Sequence, residues 1–214
     1  MSKQQDTLAR RRKIVAVLRA VVLVTGIYQM INEPLVGLAI LLSLVAISFP
    51  SFVSRGRIKA MPLEFELILF IMVVLQLVIG ETLNFYDHVP YYDKLVHFML
   101  PFFLGFIAAM FAYTMQVTGS LKASLLPTMF VVVMVALGIG AIWEIIEYLA
   151  DVFLGTYLQG SLTASPLVDT MNDLIMDTLG GVFGALLVLR YVKRDGKNKK
   201  SRLHALAQEI KKDF

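Results

Sequence analysis

The chain has 214 residues, of which 57% are hydrophobic and only 17% are charged, with a formal net charge of +4. Soluble domains are charged at about a quarter of their positions, so this composition excludes an ordinary soluble domain. The chain contains no cysteine, which excludes disulfide bonds and thiolate ligands. Any bound metal must therefore be held by oxygen and imidazole.

Long apolar blocks follow one another along the sequence. A helix needs roughly 18 or more apolar residues to cross a hydrocarbon core of about 30 Å. Backbone in lipid must satisfy its own hydrogen bonds, and the strands of a barrel would be shorter and alternating. The sequence therefore predicts an all-α, polytopic membrane helical bundle with about six transmembrane helices, at approximately 14–31, 35–53, 63–80, 95–116, 123–143 and 168–190.

The segments between the blocks set the predicted domain organisation. Asn32-Glu33-Pro34 predicts a tight turn, and Gly119-Ser120 predicts a break between the fourth and fifth spans. The first block lacks a small-residue cleavage site, which favours a retained span over a signal peptide. We predict a basic N-terminus at 1–13, a transmembrane domain at 14–190 and a basic tail at 191–214.

The distribution of Lys and Arg predicts the orientation. Eighteen of the 20 basic residues fall in the N-terminus, the 55–59 loop, the Lys122 loop and the tail from Arg190. Cytoplasmic loops carry such an excess, so both termini are expected in the cytoplasm. Loops at 32–34, 81–94 and 144–167 are then expected on the outer face. The tail has two interpretations, a helix lying on anionic membrane lipid and a solvated segment that only fixes topology.

The predicted outer face is rich in carboxylates. So many anions near one membrane face must be compensated by protons or cations. The basic or imidazole groups predicted on that side are Lys94, His88 and His97. The carboxylates are Glu81, Asp87, Asp93, Glu144, Glu147, Asp151, Asp169, Asp173 and Asp177.

Helical spacing sorts these acids into rows. Asp169, Asp173 and Asp177 are spaced i, i+4, i+8 and share one helix face over roughly 12 Å of depth. Asp169 alone could merely complement the positive end of its helix, but Asp177 lies too deep for that role. Ionisable residues inside spans normally face the bundle interior and indicate a functional site.

Two other predicted helices carry matching residues. Glu144, Glu147 and Asp151 follow i, i+3, i+7 spacing, and Asp93 and His97 are one turn apart. We expect the three rows to converge in the bundle. Gly180, Gly181 and Gly184 predict close packing of the last helix against a neighbour.

The motif pattern resembles a known family. The pattern consists of Tyr86-Asp87, Asp93-Lys94 with His97-Phe98, Trp143-Glu144 with Glu147, then Asp169-Thr170, Asp173, Asp177 and Gly180-Gly181. Over about residues 14–190 the chain resembles the YjdF-type family of bacterial inner-membrane proteins, whose function is not established. The Asp93 to Phe98 segment and the acidic last span are also similar, more distantly, to VanZ-like membrane proteins linked to glycopeptide resistance.

The first functional hypothesis is a divalent-metal-dependent enzyme acting on a lipid-linked or phosphate-bearing substrate at the outer face. Lys94, Asp87 and His88 are the candidate substrate contacts. The candidates for catalysis are Asp93, His97, Glu144, Glu147, Asp173 and Asp177, and those for metal ligation are His97, Glu144, Glu147, Asp169, Asp173 and Asp177.

Two alternatives remain open from the sequence. One is a proton- or cation-coupled transporter that uses the acids as relays. The other is a non-catalytic membrane accessory protein. No complete catalytic motif is present, and the sequence predicts membrane lipid and no nucleic acid as partners.

Overall fold

The computed structural model of the chain describes residues 3–53, 63–117, 119–159 and 164–195. Within these ranges the chain forms seven α-helices and one π-helical segment. The helices are α1 (Lys3–Asn32), α2 (Pro34–Val53), α3 (Leu63–Val73), α4 (Phe85–His88), α5 (Tyr92–Val117), α6 (Leu125–Leu154) and α7 (Pro166–Asp195), and the π-helical segment is Val74–Thr82. The all-α membrane bundle predicted from the sequence is confirmed.

Among the described residues, four helices are long and apolar enough to cross a membrane. They are Arg12–Asn32, Tyr92–Gln116, Leu125–Leu154 and Pro166–Lys193, and a shorter apolar helix spans Pro34–Phe49. The third apolar block is divided between α3 and the π-helical segment. The total of six spans therefore stays a prediction, as do the orientation and the division into termini and transmembrane domain. The predicted 55–59 loop and the tail beyond residue 195 lie outside the described residues.

Several predicted boundaries are confirmed, and one is wrong. Only Glu33 separates α1 from α2, and Gly119 lies between α5 and α6. The predicted loop at 144–167 is wrong in its first part, because α6 continues to Leu154. No glycine or proline interrupts the chain between Gly140 and Gly155. Gly155 ends the helix with a positive φ of 68°, a left-handed conformation that glycine adopts without steric cost.

The chain folds as two compact units, Met1–Tyr92 and Asp93–Phe214. In the first unit α1 packs against α2 and α3. Its apolar core includes Val22, Ile40 and Phe70, each fully buried. A polar pair is embedded in the same helices: the guanidinium of Arg19 forms an ion pair with the buried carboxylate of Glu66.

The second unit contains α5, α6 and α7. Its apolar core is made of small and branched residues from all three helices, among them Ala109, Val132 and Val188. The helices approach closely where glycine replaces a larger side chain. A Cβ at Gly180 would overlap the backbone carbonyl of Phe98, and one at Gly184 would overlap that of Phe102. The predicted close packing of α7 is confirmed, with α5 as its neighbour.

Candidate functional site

The acid row of α7 is buried along its whole length. Pro166 is the first residue of the helix, a position that needs no backbone N–H donor, and the backbone N–H of Asp169 bonds to the carbonyl of Ser165. Asp169, Asp173 and Asp177 are only 7%, 3% and 1% exposed. The shared helix face predicted from their spacing is confirmed, and it points into the second unit.

Lys94 from α5 bridges the N-terminal part of this row. Its ammonium donates to Asp169 Oδ1 at 2.7 Å and to both carboxylate oxygens of Asp173 at 2.7 and 2.8 Å. It also donates to Asp93 Oδ2 at 2.9 Å. An ammonium has three protons, so these carboxylates use its donors fully. Lys94 is therefore an internal cation for three acids, and its predicted role as a substrate contact stays a prediction.

His97 lies one turn deeper on α5 and joins acids from all three helices. Its Nδ1 is 3.2 Å from Asp177 Oδ1. On the other side of the ring, Nε2 is 3.6 Å from Asp93 Oδ1 and 3.7 Å from Glu144 Oε1. A carboxylate only accepts, so the network assigns a proton to Nδ1. In the neutral ring the lone pair then belongs to Nε2, between Asp93 and Glu144.

Glu144 is held from one side only. Its Oε2 accepts a hydrogen bond from the hydroxyl of Thr170 at 2.9 Å. Gln159 supports this arrangement, because its amide donates to the Thr170 hydroxyl at 3.0 Å and to the Glu144 carbonyl at 3.2 Å. The other carboxylate oxygen, Oε1, is buried and has no hydrogen-bond partner in the described part of the chain. A buried carboxylate oxygen without a donor is costly, which indicates that another group completes the site.

Asp177, further along α7, also has one buried carboxylate oxygen without a hydrogen-bond partner among the described residues. Its Oδ1 accepts from His97, whereas its Oδ2 has no hydrogen-bond partner among the described residues. This oxygen lies against Gly140 of α6, where an added Cβ would overlap it. Glycine at position 140 therefore leaves the space that the carboxylate of Asp177 occupies.

The geometry is close to that of a metal site. One ligand atom each from Asp93, His97 and Asp173 lie within 4.8 Å of one another. Metal–ligand bonds of about 2.0–2.2 Å place the ligand atoms of a tetrahedral site roughly 3.3–3.6 Å apart. The separations of Nε2 from Asp93 and Glu144 already approach that value. The Nδ1–Asp177 contact matches the carboxylate–histidine arrangement that orients metal-bound imidazoles.

Charge favours a cation at the same place. Asp93, Glu144, Asp169, Asp173 and Asp177 supply five carboxylates, and Lys94 and His97 are the two groups placed to offset them. Lys94 is hydrogen-bonded to Asp93, Asp169 and Asp173, so His97 is the basic group in contact with Glu144 and Asp177. A divalent ion bound at Nε2 would reduce the remaining excess of negative charge.

The other predicted site residues lie in different surroundings. Glu147 accepts a hydrogen bond from the indole of Trp143 at 2.6 Å. Asp151 accepts the backbone N–H groups of Leu158 and Gln159 at 2.6 and 2.8 Å, so it fixes the loop after α6. Its position gives Asp151 a structural role.

Asp87 and His88 belong to the first unit. They lie in the short helix α4, where His88 Nδ1 is 2.8 Å from the carbonyl of Asn84. Their assignment to a substrate site stays a prediction.

Sequence reasoning missed three residues that shape the site, and it named Thr170 in the motif pattern without a role. Gln159 was missed because an isolated amide carries no spacing signal. Gly140 could have been found from its i, i+4 relation to Glu144. Pro101, buried inside α5, could have been found from its i, i+4 relation to His97, because proline removes the N–H that the carbonyl of His97 would otherwise accept.

Comparison with known proteins supports this description of a membrane protein. A family model described as "Predicted membrane protein (DUF2238)" matches residues 11–194. The chain belongs to this family. The match includes every residue of the acidic site, and the YjdF-type resemblance is consistent with it.

A relative from Thermotoga maritima, described as an uncharacterised protein, is 31% identical over 144 residues. The aligned region covers 65% of this chain and 68% of the relative. No solved structure matches the chain.

Proposed function

We propose that the second unit is a divalent-metal-dependent membrane enzyme that acts on a lipid-linked or phosphate-bearing substrate at the outer face of the membrane. The observation that carries this proposal is the pair formed by His97 Nε2 and Glu144 Oε1, which are 3.7 Å apart. The carboxylate oxygen is buried and has no hydrogen-bond partner among the described residues. A metal ion would satisfy both atoms at once.

Each residue then has a distinct role in this proposal. His97, Glu144 and Asp93 are the inner ligands, and Asp173 becomes a further ligand when Lys94 moves. Asp177 orients the imidazole through Nδ1, and Thr170 orients Glu144 through Oε2. Imidazole with carboxylates and no thiolate suits Zn²⁺, Mn²⁺ or Fe²⁺. When bound, such an ion polarises a phosphoryl oxygen or activates water.

Lys94 is proposed to connect metal binding with substrate binding. Its side chain is 19% exposed at the N-terminal end of the acid row. A divalent ion that takes over Asp173 and Asp93 would release Lys94 to contact a phosphate group. The orientation predicted from the basic residues favours the outer face for this end of α5 and α7. The distant similarity to VanZ-like proteins is compatible with a substrate of the cell envelope.

Metal binding by purified protein tests the proposal. Detergent-solubilised protein is stripped with EDTA and incubated with Zn²⁺, Mn²⁺, Mg²⁺ or, under anaerobic conditions, Fe²⁺. It is then dialysed and analysed for metal content, and its melting temperature is measured with each ion. We expect stoichiometric retention of one of these ions and a rise in melting temperature, because a ligand bound by the folded state stabilises it. Glu144→Gln should lose both effects.

The matched control is Glu33→Gln, an acid-to-amide change at an exposed position between α1 and α2. It should bind metal as the parent does. If the parent neither retains an ion nor changes its melting temperature, the enzyme proposal is wrong and the accessory alternative is favoured.

One observation favours the transporter alternative. The acids of α7 descend through two helical turns from Asp169 to Asp177, and His97 contacts the deepest of them. Such a row is suited to passing protons or cations inward. Reconstitution in vesicles with a pH-sensitive dye tests it: ion-dependent proton flux that Asp177→Asn abolishes would replace the enzyme proposal with a transport function.

A further inference from the structure

An apolar groove lies between α5 and α6 in the second unit. Its volume is about 230 Å³. Its floor includes Val132 and Ala136, which are 6% and 2% exposed, and its rims include Phe111 and Ile139, which are 51% and 45% exposed. The groove is open along one side and has an almost entirely apolar lining. A hydrocarbon chain matches this chemistry.

The groove is aligned with the acidic site. On α5, Leu104, Ala108 and Phe111 line it, and they follow His97 by 7, 11 and 14 residues, so all four share one helix face. At 1.5 Å per residue, the groove begins about 10 Å below His97. This offset places the groove at hydrocarbon depth when the site lies near the membrane surface.

The alignment holds on the second helix. Ala136 and Val132 line the groove and continue the row that starts with Glu144 and Gly140 at intervals of four residues. Glu144 and Gly140 face the site, because Glu144 Oε1 is near His97 and Gly140 is against Asp177. This row turns by about 40° around α6 at each step, so Ala136 lies one turn below Gly140 and Val132 one turn further along.

We propose that this groove binds one acyl chain of a phosphate-bearing lipid, whose phosphate lies at the His97–Glu144 site. This inference rests on the proposed function, since acids attract a phosphate only through a bound cation or a released Lys94. It specifies the substrate class: a lipid with its phosphate at the metal and its chain along α5 and α6, and not a water-soluble phosphate ester.

Photo-crosslinking tests the position of the chain. The full-length protein in nanodiscs is incubated with phosphatidic acid that carries a diazirine in one acyl chain, irradiated, digested and analysed by mass spectrometry. We expect crosslinks concentrated on residues 104–111 and 132–139. Excess unlabelled phosphatidic acid should remove them, whereas diacylglycerol, which lacks the phosphate, should not. Crosslinks spread evenly over the exposed faces of α6, or equal competition by diacylglycerol, would overturn the inference.

A pair of variants controls for changes in overall folding. Ala108→Leu fills the groove and should reduce groove crosslinks at least fivefold. Ala141→Leu makes the same change at a half-buried position of α6 outside the groove and should leave them unchanged. Equal crosslinking in parent and Ala108→Leu would also overturn the inference.

Repeating the photo-crosslinking in EDTA separates the lipid-site proposal from the metal-dependent enzyme proposal. Groove crosslinks that require a divalent ion support both the lipid site and the metal-dependent enzyme. Groove crosslinks that persist in EDTA and still depend on the phosphate keep the lipid site and count against the metal-dependent enzyme. Metal retention by the purified protein without groove crosslinks keeps the enzyme and removes the lipid site.

Discussion

The two units place charge inside membrane helices in contrasting ways. In the first unit, the cation Arg19 is paired with the acid Glu66, and the guanidinium also lies 5.9 Å from the ring of Phe70. In the second unit, five carboxylates surround one lysine and one histidine, and two buried carboxylate oxygens have no hydrogen-bond partner among the described residues. The pair is balanced in charge, although the buried Nε of Arg19 has no hydrogen-bond partner among the described residues. The cluster has an excess of negative charge, which a cation from outside the chain would offset.

The largest effect is expected from breaking the balanced pair. Arg19→Met leaves the buried carboxylate of Glu66 without its cation. We expect a loss of about 3 kcal/mol of stability, at the lower end of the range for a broken buried pair because the Arg19 side chain is 35% exposed. Thermal unfolding in detergent measures it. The double variant Arg19→Met/Glu66→Met should recover most of the loss, and a double variant as unstable as the single one would show that the pair is not self-contained.

The next effect concerns the unbalanced cluster. Asp177→Asn keeps the shape of the side chain but weakens the acceptor that orients His97. Loss of such an outer partner typically weakens metal binding about 10- to 100-fold. Isothermal titration with the retained ion measures the change. Unchanged affinity, together with equal or higher stability, would indicate that Asp177 is a buried acid without a role in metal binding.

Removing the internal cation should change metal binding in the opposite direction. Lys94→Met leaves Asp169 and Asp173 uncompensated, so the metal-free protein should melt at a lower temperature than the parent. The same acids should then bind a divalent ion about tenfold more tightly, because one repulsive charge near the site is removed. Melting curves with EDTA and with excess ion measure both effects. A variant that is destabilised equally under both conditions would contradict competition between Lys94 and the metal.

The smallest effect is expected at Gly140. A Cβ at this position overlaps Asp177 Oδ2, so Gly140→Ala should displace Asp177 from His97 and weaken metal binding about threefold to tenfold. Gly138→Ala is the matched control, because a Cβ there meets no atom within 4 Å. Both substitutions add the same helix propensity to α6. Equal affinities of the two variants would show that the contact with Gly140 does not position Asp177.

The sequence predicted those features that depend on composition and spacing. The apolar blocks predicted the helices, and the i, i+4, i+8 spacing of Asp169, Asp173 and Asp177 predicted a shared face that the structure shows to be buried. The length of α6 was underestimated, because the charged residues from Glu144 onward ended the apolar block but not the helix. Hydropathy reports how well side chains suit an apolar environment, and it falls where the charged residues begin. The backbone hydrogen bonds of α6 continue past that point and end at Gly155.

Partner choice within the site could not be predicted from the sequence. Lys94 could have faced the membrane surface, and its pairing with Asp169 and Asp173 depends on how closely α5 and α7 approach. That approach depends on Gly180 and Gly184, which have no side chain. The pairing of Arg19 with Glu66 was also missed. The two residues are 47 positions apart, so their contact depends on how α1 and α3 pack and not on local spacing.

Trp143 gives the protein an intrinsic optical reporter. It is the single tryptophan of the chain, it directly precedes Glu144, and its indole N–H donates to Glu147 Oε1 at 2.6 Å. Indole emission responds to hydrogen bonding and to nearby charge, and no second fluorophore of this kind contributes background. Steady-state fluorescence of the unlabelled chain can therefore follow the arrival of an ion or a phosphate headgroup in real time, in detergent, nanodiscs or native membrane vesicles.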